Sequence, residues 1–405
     1  MSFGRLAALA ALFLVLVLAV TTLLPSSAAA AAAKSWTVMV YLDGDNNLDP
    51  WAQYTLDLMA QGLSSDADLS VVVLYDHAGA ADDEKLLVTA HGIQKLSSVP
   101  EPDMASPATL AAFVGWAMKA YPAERYVLDV WDHGYGWIKL CDDDSSGRSM
   151  SVDELAAGLR AGERIAGDRV DMVLFEACNM GEIEVTYELR DLTSVVVGTE
   201  LTQDFEGVPW QSVMADLVAE PGMDEAHLGR LMVDGLVWSY THDNKHAKAI
   251  GTLACFTASR QASVVRALDR LSLALLADMK RFKGAVGAAG SAAKNQLWCG
   301  GVSGIFWFDD AWVFADQIEK KIDDPAVDYW AGRVKATITT SLYENHTHVI
   351  DGKCHGVSIS FPPNRSMYDM KNWTFTDYAG IGLDFTADTH WDEMLLAYYA
   401  ASGKK

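Results

Sequence analysis

Over the first half of the chain, short apolar runs alternate with turn-rich polar stretches. Trp36–Leu42, Leu69–Tyr75, Tyr126–Trp131 and Met172–Phe175 are rich in β-branched and aromatic residues and too short for buried helices. They predict buried strands. Ser194–Gly198 predicts a fifth, and Lys85–Thr89 with Ile93–Leu96 a small hairpin. Helical signals lie between them. A helix starts near Pro50, and Ser106-Pro107 places a cap before a first-turn proline, predicting a helix to about Tyr121. Ser151-Val152-Asp153-Glu154 is a capping box for a helix to about Arg164, and another helical pattern opens near Gly181. Strands alternating with helices at this spacing indicate an α/β fold with a mostly parallel sheet, flanked by helices on both faces.

The pattern changes after about Pro209. Gln211–Ala219, Asp224–Tyr240 and Ala258–Lys283 read as helices, Gly284–Ala293 as a flexible glycine- and alanine-rich stretch. Asp316–Ile322 and Trp391–Ala401 are helical, and residues 355–361 form a late strand ended by two prolines. The expected organisation is therefore a core over 34–209 and an additional mainly helical C-terminal region over 210–405. Residues 1–33 stand apart. Arg5 precedes an apolar stretch, Leu6–Leu24, followed by small residues suited to signal peptidase. That stretch is nearly long enough to span a bilayer, so a cleaved signal peptide and a retained anchor are both open. Either delivers the rest of the chain outside the cell, secreted or surface-anchored, and only a retained segment makes the membrane a partner.

Composition narrows the function classes. With 54 acidic against 31 basic residues the formal charge is −23. Nucleic acid is excluded as a partner, because a phosphate-binding surface needs a basic stripe. Five cysteines, widely spaced and without a CxxC pair, point neither to a zinc knuckle nor to a thioredoxin site. The odd number leaves at least one thiol free, and Cys178 is the candidate.

In parallel α/β sheets, ligands bind beyond the carboxyl ends of the strands. His133 and Cys178 both follow apolar strands directly. An imidazole over a thiol supplies a general base and stabilises the thiolate, and a helix N-terminus behind Cys178 would add to this. Gly134 allows close backbone approach, and its N–H with that of Cys178 offers a pair of oxyanion donors. Residues two apart in a strand point the same way, so Glu176 lies on the Cys178 side. A carboxylate there opposes thiolate formation unless a cationic side chain docks on it. A docked Arg or Lys side chain would make that cost productive, with Asp204 and Glu206 as further pocket walls; the alternative is that Glu176 only caps the next helix or anchors His133. The stretch Cys141–Ser149 reads as an exposed polar loop, a place where chains are nicked. Arg148 is the expected processing site and Lys139 the second choice.

The stretch Asp132–Trp137, DHGYGW, is similar to a motif of clostripain-like cysteine peptidases. Phe175–Gly181 with Glu188-Leu189-Arg190, the stretch YLDGDNNL (41–48), HGVSISFPP (355–363) and DFTADTHWDEML (384–395) also resemble that family. The resemblance implies a caspase-like fold, a His133–Cys178 dyad, peptide or protein substrates with basic residues, and maturation by cleavage between the dyad residues. Two positions depart from the family pattern: Asp132 replaces a common glycine, and Glu176 replaces a typical aspartate.

No cofactor is required by the sequence. Calcium is a candidate ligand of Asp142–Asp144 or of Asp43, Asp45 and Asp49, but neither set has EF-hand spacing and aspartates also cap turns, so no metal is assigned. Asn345, Asn364 and Asn372 open glycosylation triplets. The aromatic run 305–314 reads as core. Two rival functions remain: a transpeptidase or amidase on the same dyad, and a surface-binding protein with a degenerate site, for which Asp132 speaks.

Overall fold

The β-branched runs form a continuous sheet in a computed structural model that describes residues 33–79, 83–243, 250–294, 307–347, 353–369 and 378–404. The N-terminal apolar segment, Cys299, the Asn372 triplet and the start of the aromatic run lie outside the described residues. Strands β1 (Lys34–Gly44), β2 (Leu69–His77), β3 (Glu84–Thr89), β4 (Gly92–Ser98) and β5 (Ala123–Trp131) come first, with helices α1 (Asp49–Gly62) and α2 (Pro107–Ala120) among them. The hairpin β6 (Leu140–Asp143) and β7 (Arg148–Met150), helix α3 (Val152–Ala166), β8 (Met172–Glu176), α4 (Ile183–Glu188) and β9 (Val195–Gly198) follow. The predicted capping box at Ser151 and Glu154 is present, and Ser106 caps α2.

The second half supplies α5 (Trp210–Ala219), α6 (Glu225–His242), β10 (Thr252–Thr257), α7 (Gln261–Leu276), α8 (Met279–Ala293), β11 (Phe308–Asp310), α9 (Ala311–Lys321), α10 (Pro325–Ser341), β12 (Leu342–His346) and β13 (Ser358–Ser360). Short helices α11 (Arg365–Tyr368) and α12 (Asp384–Asp388) precede the closing α13 (Trp391–Ser402). Among the described residues the main sheet runs β12-β10-β9-β8-β5-β1-β2-β3-β4. Its centre, from β9 to β2, is parallel, and antiparallel strands extend both edges.

Alternation along the strands divides the core into two layers. Met39, Tyr41, Leu128, Val130, Val173 and Phe175 face α2, α3 and the later helices α7–α10 and α13. Val38, Val40, Val127, Trp131, Met172 and Leu174 face α1, α5 and α6.

Three expectations change. The mainly helical region after Pro209 contributes more than the one late strand expected: β10 and β12 join the main sheet beyond β9. The late strand shortens to Ser358–Ser360 and pairs with β11 in a separate ribbon. Gly284–Ala293 is helical, the last two-thirds of α8. Two of its glycines serve packing: a Cβ on Gly287 would lie 2.5 Å from Tyr398 Oη and one on Gly290 2.6 Å from the Phe361 ring, so small residues let the helix sit close to its neighbours.

Candidate active site

Strand register brings the two candidate catalytic residues together. Trp131 of β5 pairs with Glu176 of β8. His133 and Cys178 each lie two residues beyond that pair, at equivalent positions over adjacent parallel strands. Both line one cleft of about 400 Å³, with Leu48, Trp131, Glu176, Gln203 and Asp204 among its other walls. Gly134 lies against the chain beyond β8, where an added Cβ would collide with the Cys178 carbonyl oxygen. Only glycine permits the two strand ends this approach.

Cys178 sits in a turn rather than at a helix end. β8 stops at Glu176 and α4 begins only at Ile183, so the helix-terminus contribution expected from the sequence is absent. The turn is held otherwise. Asn179 takes a left-handed backbone (φ 62°), donates its N–H to the Leu201 carbonyl, and Gly181 donates to Thr199. The Gln203 N–H lies 3.4 Å from the Cys178 sulfur and points at it as a donor. The segment after β9 thus braces the thiol.

His133 Nε2 is 3.0 Å from Asn47 Oδ1. An amide oxygen accepts from Nε2–H, which leaves the lone pair of a neutral ring on Nδ1. Burial pushes the imidazole below its ordinary value, with Asp142 and Asp144 opposing this in part. Asp132, the departure from the family pattern, is buried and used structurally. Its carboxylate accepts from the Asn46 side chain (2.7 Å) and from the Asp142 N–H. It ties the loop after β1 to the β6–β7 hairpin.

Glu176 forms part of the cleft wall with 6% of its surface exposed. Its oxygens accept from the Val208 N–H (2.8 Å) and from Trp210 Nε1. Asp129, two residues before Trp131 on the same strand face, lies beside it. Burial, then the Glu176 charge, pushes Asp129 well above the usual carboxylate range. Burial pushes Glu176 itself up to about 7, against the hydrogen bonds from Trp210, Val208 and Asp129. Asp204 lines the same cleft, its N–H bonded to Tyr240 Oη. Glu206 faces a neighbouring depression beside Tyr54 and Trp238 instead.

The stretch around Arg148 is a hairpin rather than a loose loop. Its exposed tip is Asp144–Gly147, and Asp143 is buried with its carboxylate accepting from the Met104 and Ser146 N–H groups. Arg148, at the start of β7, pairs with Asp103 (2.6 Å) and Glu154 (3.5 Å). Lys139 pairs with Asp142 (2.7 Å) and lies over the Tyr135 ring. These hydrogen bonds commit Asp142 and Asp143 to holding the hairpin. Asp49 accepts from Tyr75 Oη. Of the residues weighed for calcium, Asp45 converges with two others, Asp76 and Glu101.

Sequence reasoning missed Asn46, Asn47, Gln203, Asp129 and Trp210. The asparagines read as turn formers. The other three approach the site through pairings across dozens of residues, which no local pattern records.

A caspase-like α/β sheet that carries a histidine and a cysteine over the carboxyl edge of adjacent parallel strands defines a class of thiol peptidases. Residues 40–396 match the sequence profile of the clostripain family, and the chain belongs to that family of cysteine peptidases. It is 26% identical to clostripain of Hathewaya histolytica over 187 residues, 38% of this chain and 36% of that relative, so little more than a third of the relative's length is matched. The fold is similar to that of iotapain, a secreted C11 cysteine protease from Bacteroides thetaiotaomicron, with TM-score 0.67 at 18% identity over 88% of this chain and 99% of that one. It is also similar to an inactive zymogen C11 protease from Parabacteroides distasonis, with TM-score 0.65 at 19% identity over 88% and 98%.

Proposed function

We propose that the chain is a secreted cysteine endopeptidase that hydrolyses peptide bonds after Arg or Lys. The observation that carries this is the register of β5 and β8, which sets His133 and Cys178 at equivalent positions in one cleft beside the Glu176 carboxylate. Cys178 gives its proton to His133 and attacks the scissile carbonyl carbon. The N–H groups of Gly134 and Cys178 receive the developing oxyanion. His133 returns the proton to the leaving amine, and water then hydrolyses the thioester with His133 as base. Burial favours neutral His133 at pH 7, the form able to accept that proton.

A cationic side chain entering the cleft meets Glu176 and Asp204. Both Glu176 oxygens already accept hydrogen bonds, so the attraction is to its charge more than to a free two-pronged carboxylate. Lys therefore competes with Arg more closely than the fork geometry of Arg alone would suggest. Secretion rests on the N-terminal apolar segment. Among the described residues no helix is long and apolar enough to cross a membrane.

Reporter peptides ending in Arg, Lys, norleucine or Asp test the reading. Glu176→Gln should lower kcat/KM for the Arg reporter about a hundredfold, the equivalent of ~2.7 kcal/mol, and change the norleucine reporter little. A parent enzyme that prefers Asp or norleucine, or a Gln variant that keeps its Arg preference, contradicts the pocket assignment.

A further inference from the structure

The segment after β9 borders two hollows. Gln203, Asp204, Phe205 and Gly207 line the catalytic cleft. Glu206, Gly207 and Pro209 line a second depression of about 980 Å³, whose further walls come from α1, α5 and α6. Gly207 belongs to both, so the hollows adjoin. The chain is tightly packed at that point: Gly207 has a left-handed backbone (φ 60°), and an added Cβ would collide with Glu176 Oε2.

The lining of the second hollow is of two kinds. Leu58, Pro209 and Ala215 are apolar, and Tyr54 and Trp238 add aromatic rings. Glu206 and Asp243 bring carboxylates. Trp238 is 62% exposed, the most exposed of the large apolar side chains among the described residues. Its ring stacks on His242, with centroids 4.9 Å apart and 9° between the planes. Phe205, on the cleft side, is also exposed and stacks on Trp51 at 5.5 Å and 12°. Exposed apolar surface gathered around a groove marks a binding site. Rings already held by stacking lose little freedom when a ligand packs on them.

This combination suits a long aliphatic stem that ends in a cation. The stem can lie on Leu58, Pro209 and Ala215 while the charged head stays at the polar rim. Glu206 and Asp243 attract that head, and a guanidinium or ammonium over the Trp238 indole gains cation–π attraction. An uncharged side chain would draw nothing from the carboxylates, and an acidic one would be repelled.

We propose that this depression is a second substrate subsite, which takes an Arg or Lys side chain a few residues from the scissile bond. The enzyme then selects peptides that carry two basic residues close together. The first of these enters the cleft beside Glu176, and the second enters the hollow between α1, α5 and α6. The consequence for cleavage rests on the peptidase reading, whereas the binding preference can be measured without catalysis.

Internally quenched peptides test this. Each carries one Arg at the cleavage position, and Arg, norleucine or Glu is placed in turn at every neighbouring position on both sides. At one position Arg should exceed norleucine about tenfold in kcat/KM, and Glu should fall below norleucine. Trp238→Ala removes a mostly exposed side chain, so folding is safe. It and Glu206→Gln should each lower the Arg-to-norleucine ratio at that position at least about threefold, mainly through KM. A ratio near one at every position, or one unchanged in either variant, overturns the subsite. If the parent still cleaves after a single Arg, the peptidase reading survives that result. The same peptides are also titrated onto Cys178→Ala and followed by fluorescence anisotropy. A second Arg that tightens binding about tenfold, with a parent that cleaves none of the peptides, would keep the subsite and overturn the peptidase reading instead.

Discussion

Gly134 couples the two halves of the site through its missing side chain. A methyl group there would strike the Cys178 carbonyl oxygen and also come within 2.9 Å of the Ala177 Cβ. The strand ends would have to part, and overpacking of this kind costs about 1–3 kcal/mol. Catalysis is more sensitive than stability, since displacement of reacting groups by ~1 Å costs about a hundredfold. Gly134→Ala should therefore stay folded by circular dichroism and lose about two orders of magnitude in kcat/KM. Activity within about threefold of the parent would mean that the spacing of the strand ends does not govern the reaction. This glycine, His133 and Cys178 were legible in the sequence because each follows a strongly apolar strand. Asn47 was not, since the stretch DGDNN carries every mark of an ordinary turn and nothing local announces its contact with a histidine 86 residues away.

Elements show the same division between local and distant causes. β1, β2, β5 and β8 are apolar runs bounded by turn residues, and the capping box of α3 is a local pattern, so all could be read directly. β10 could not. Thr252–Thr257 is only six residues long, lies between helical segments, and becomes a strand because β9 and β12 flank it. The β6–β7 hairpin hides in the same way. Asp45, Asp132 and Asp143 accept hydrogen bonds from its backbone, and two of these come from outside the hairpin. That changes the maturation argument. The bond after Arg148 lies inside β7, next to the exposed tip, while Lys139 has only 20% of its side chain exposed. A basic-specific enzyme should therefore cut after Arg148 rather than Lys139, and slowly, since β7 must first detach. Mass spectrometry of the active protein over time should show fragments ending at Arg148, and Arg148→Gln should stay intact. A cut after Lys139 in the parent would contradict the ordering.

At the scale of the whole molecule, the acidic excess reaches into the interior. Burial pushes Glu176 and Glu184 from 4.5 up to about 7, and Asp310 from 3.8 up to about 7. A carboxyl group raised in the folded state binds its proton more tightly there than in the unfolded chain. Its contribution to stability is full below the unfolded value near 4 and is lost as pH rises through about 7. The −23 formal charge adds self-repulsion in the same direction. Asp45 and Asp316 are shifted downward by their hydrogen-bond partners despite some burial, and they weaken the fold only at more acidic pH. Tm should accordingly be higher at pH 5.5 than at pH 8 by several degrees. A Tm that climbs steadily from pH 5.5 to 8 would show that these carboxyl groups are not held protonated in the folded chain.

Reactivity of the thiols tests the central assignment most directly. Cys141, Cys255 and Cys354 are buried, and burial pushes each of these thiols up, Cys255 to about 12. Cys178 alone among the described cysteines is partly exposed, and it shares a cleft with His133. The native protein should be treated with an Arg-ended peptidyl chloromethyl ketone, digested and mapped by mass spectrometry. The expected result is one adduct, on Cys178, that disappears in His133→Ala and after prior denaturation. An adduct on another cysteine, or labelling of Cys178 no faster in the native than in the denatured protein, would contradict the account.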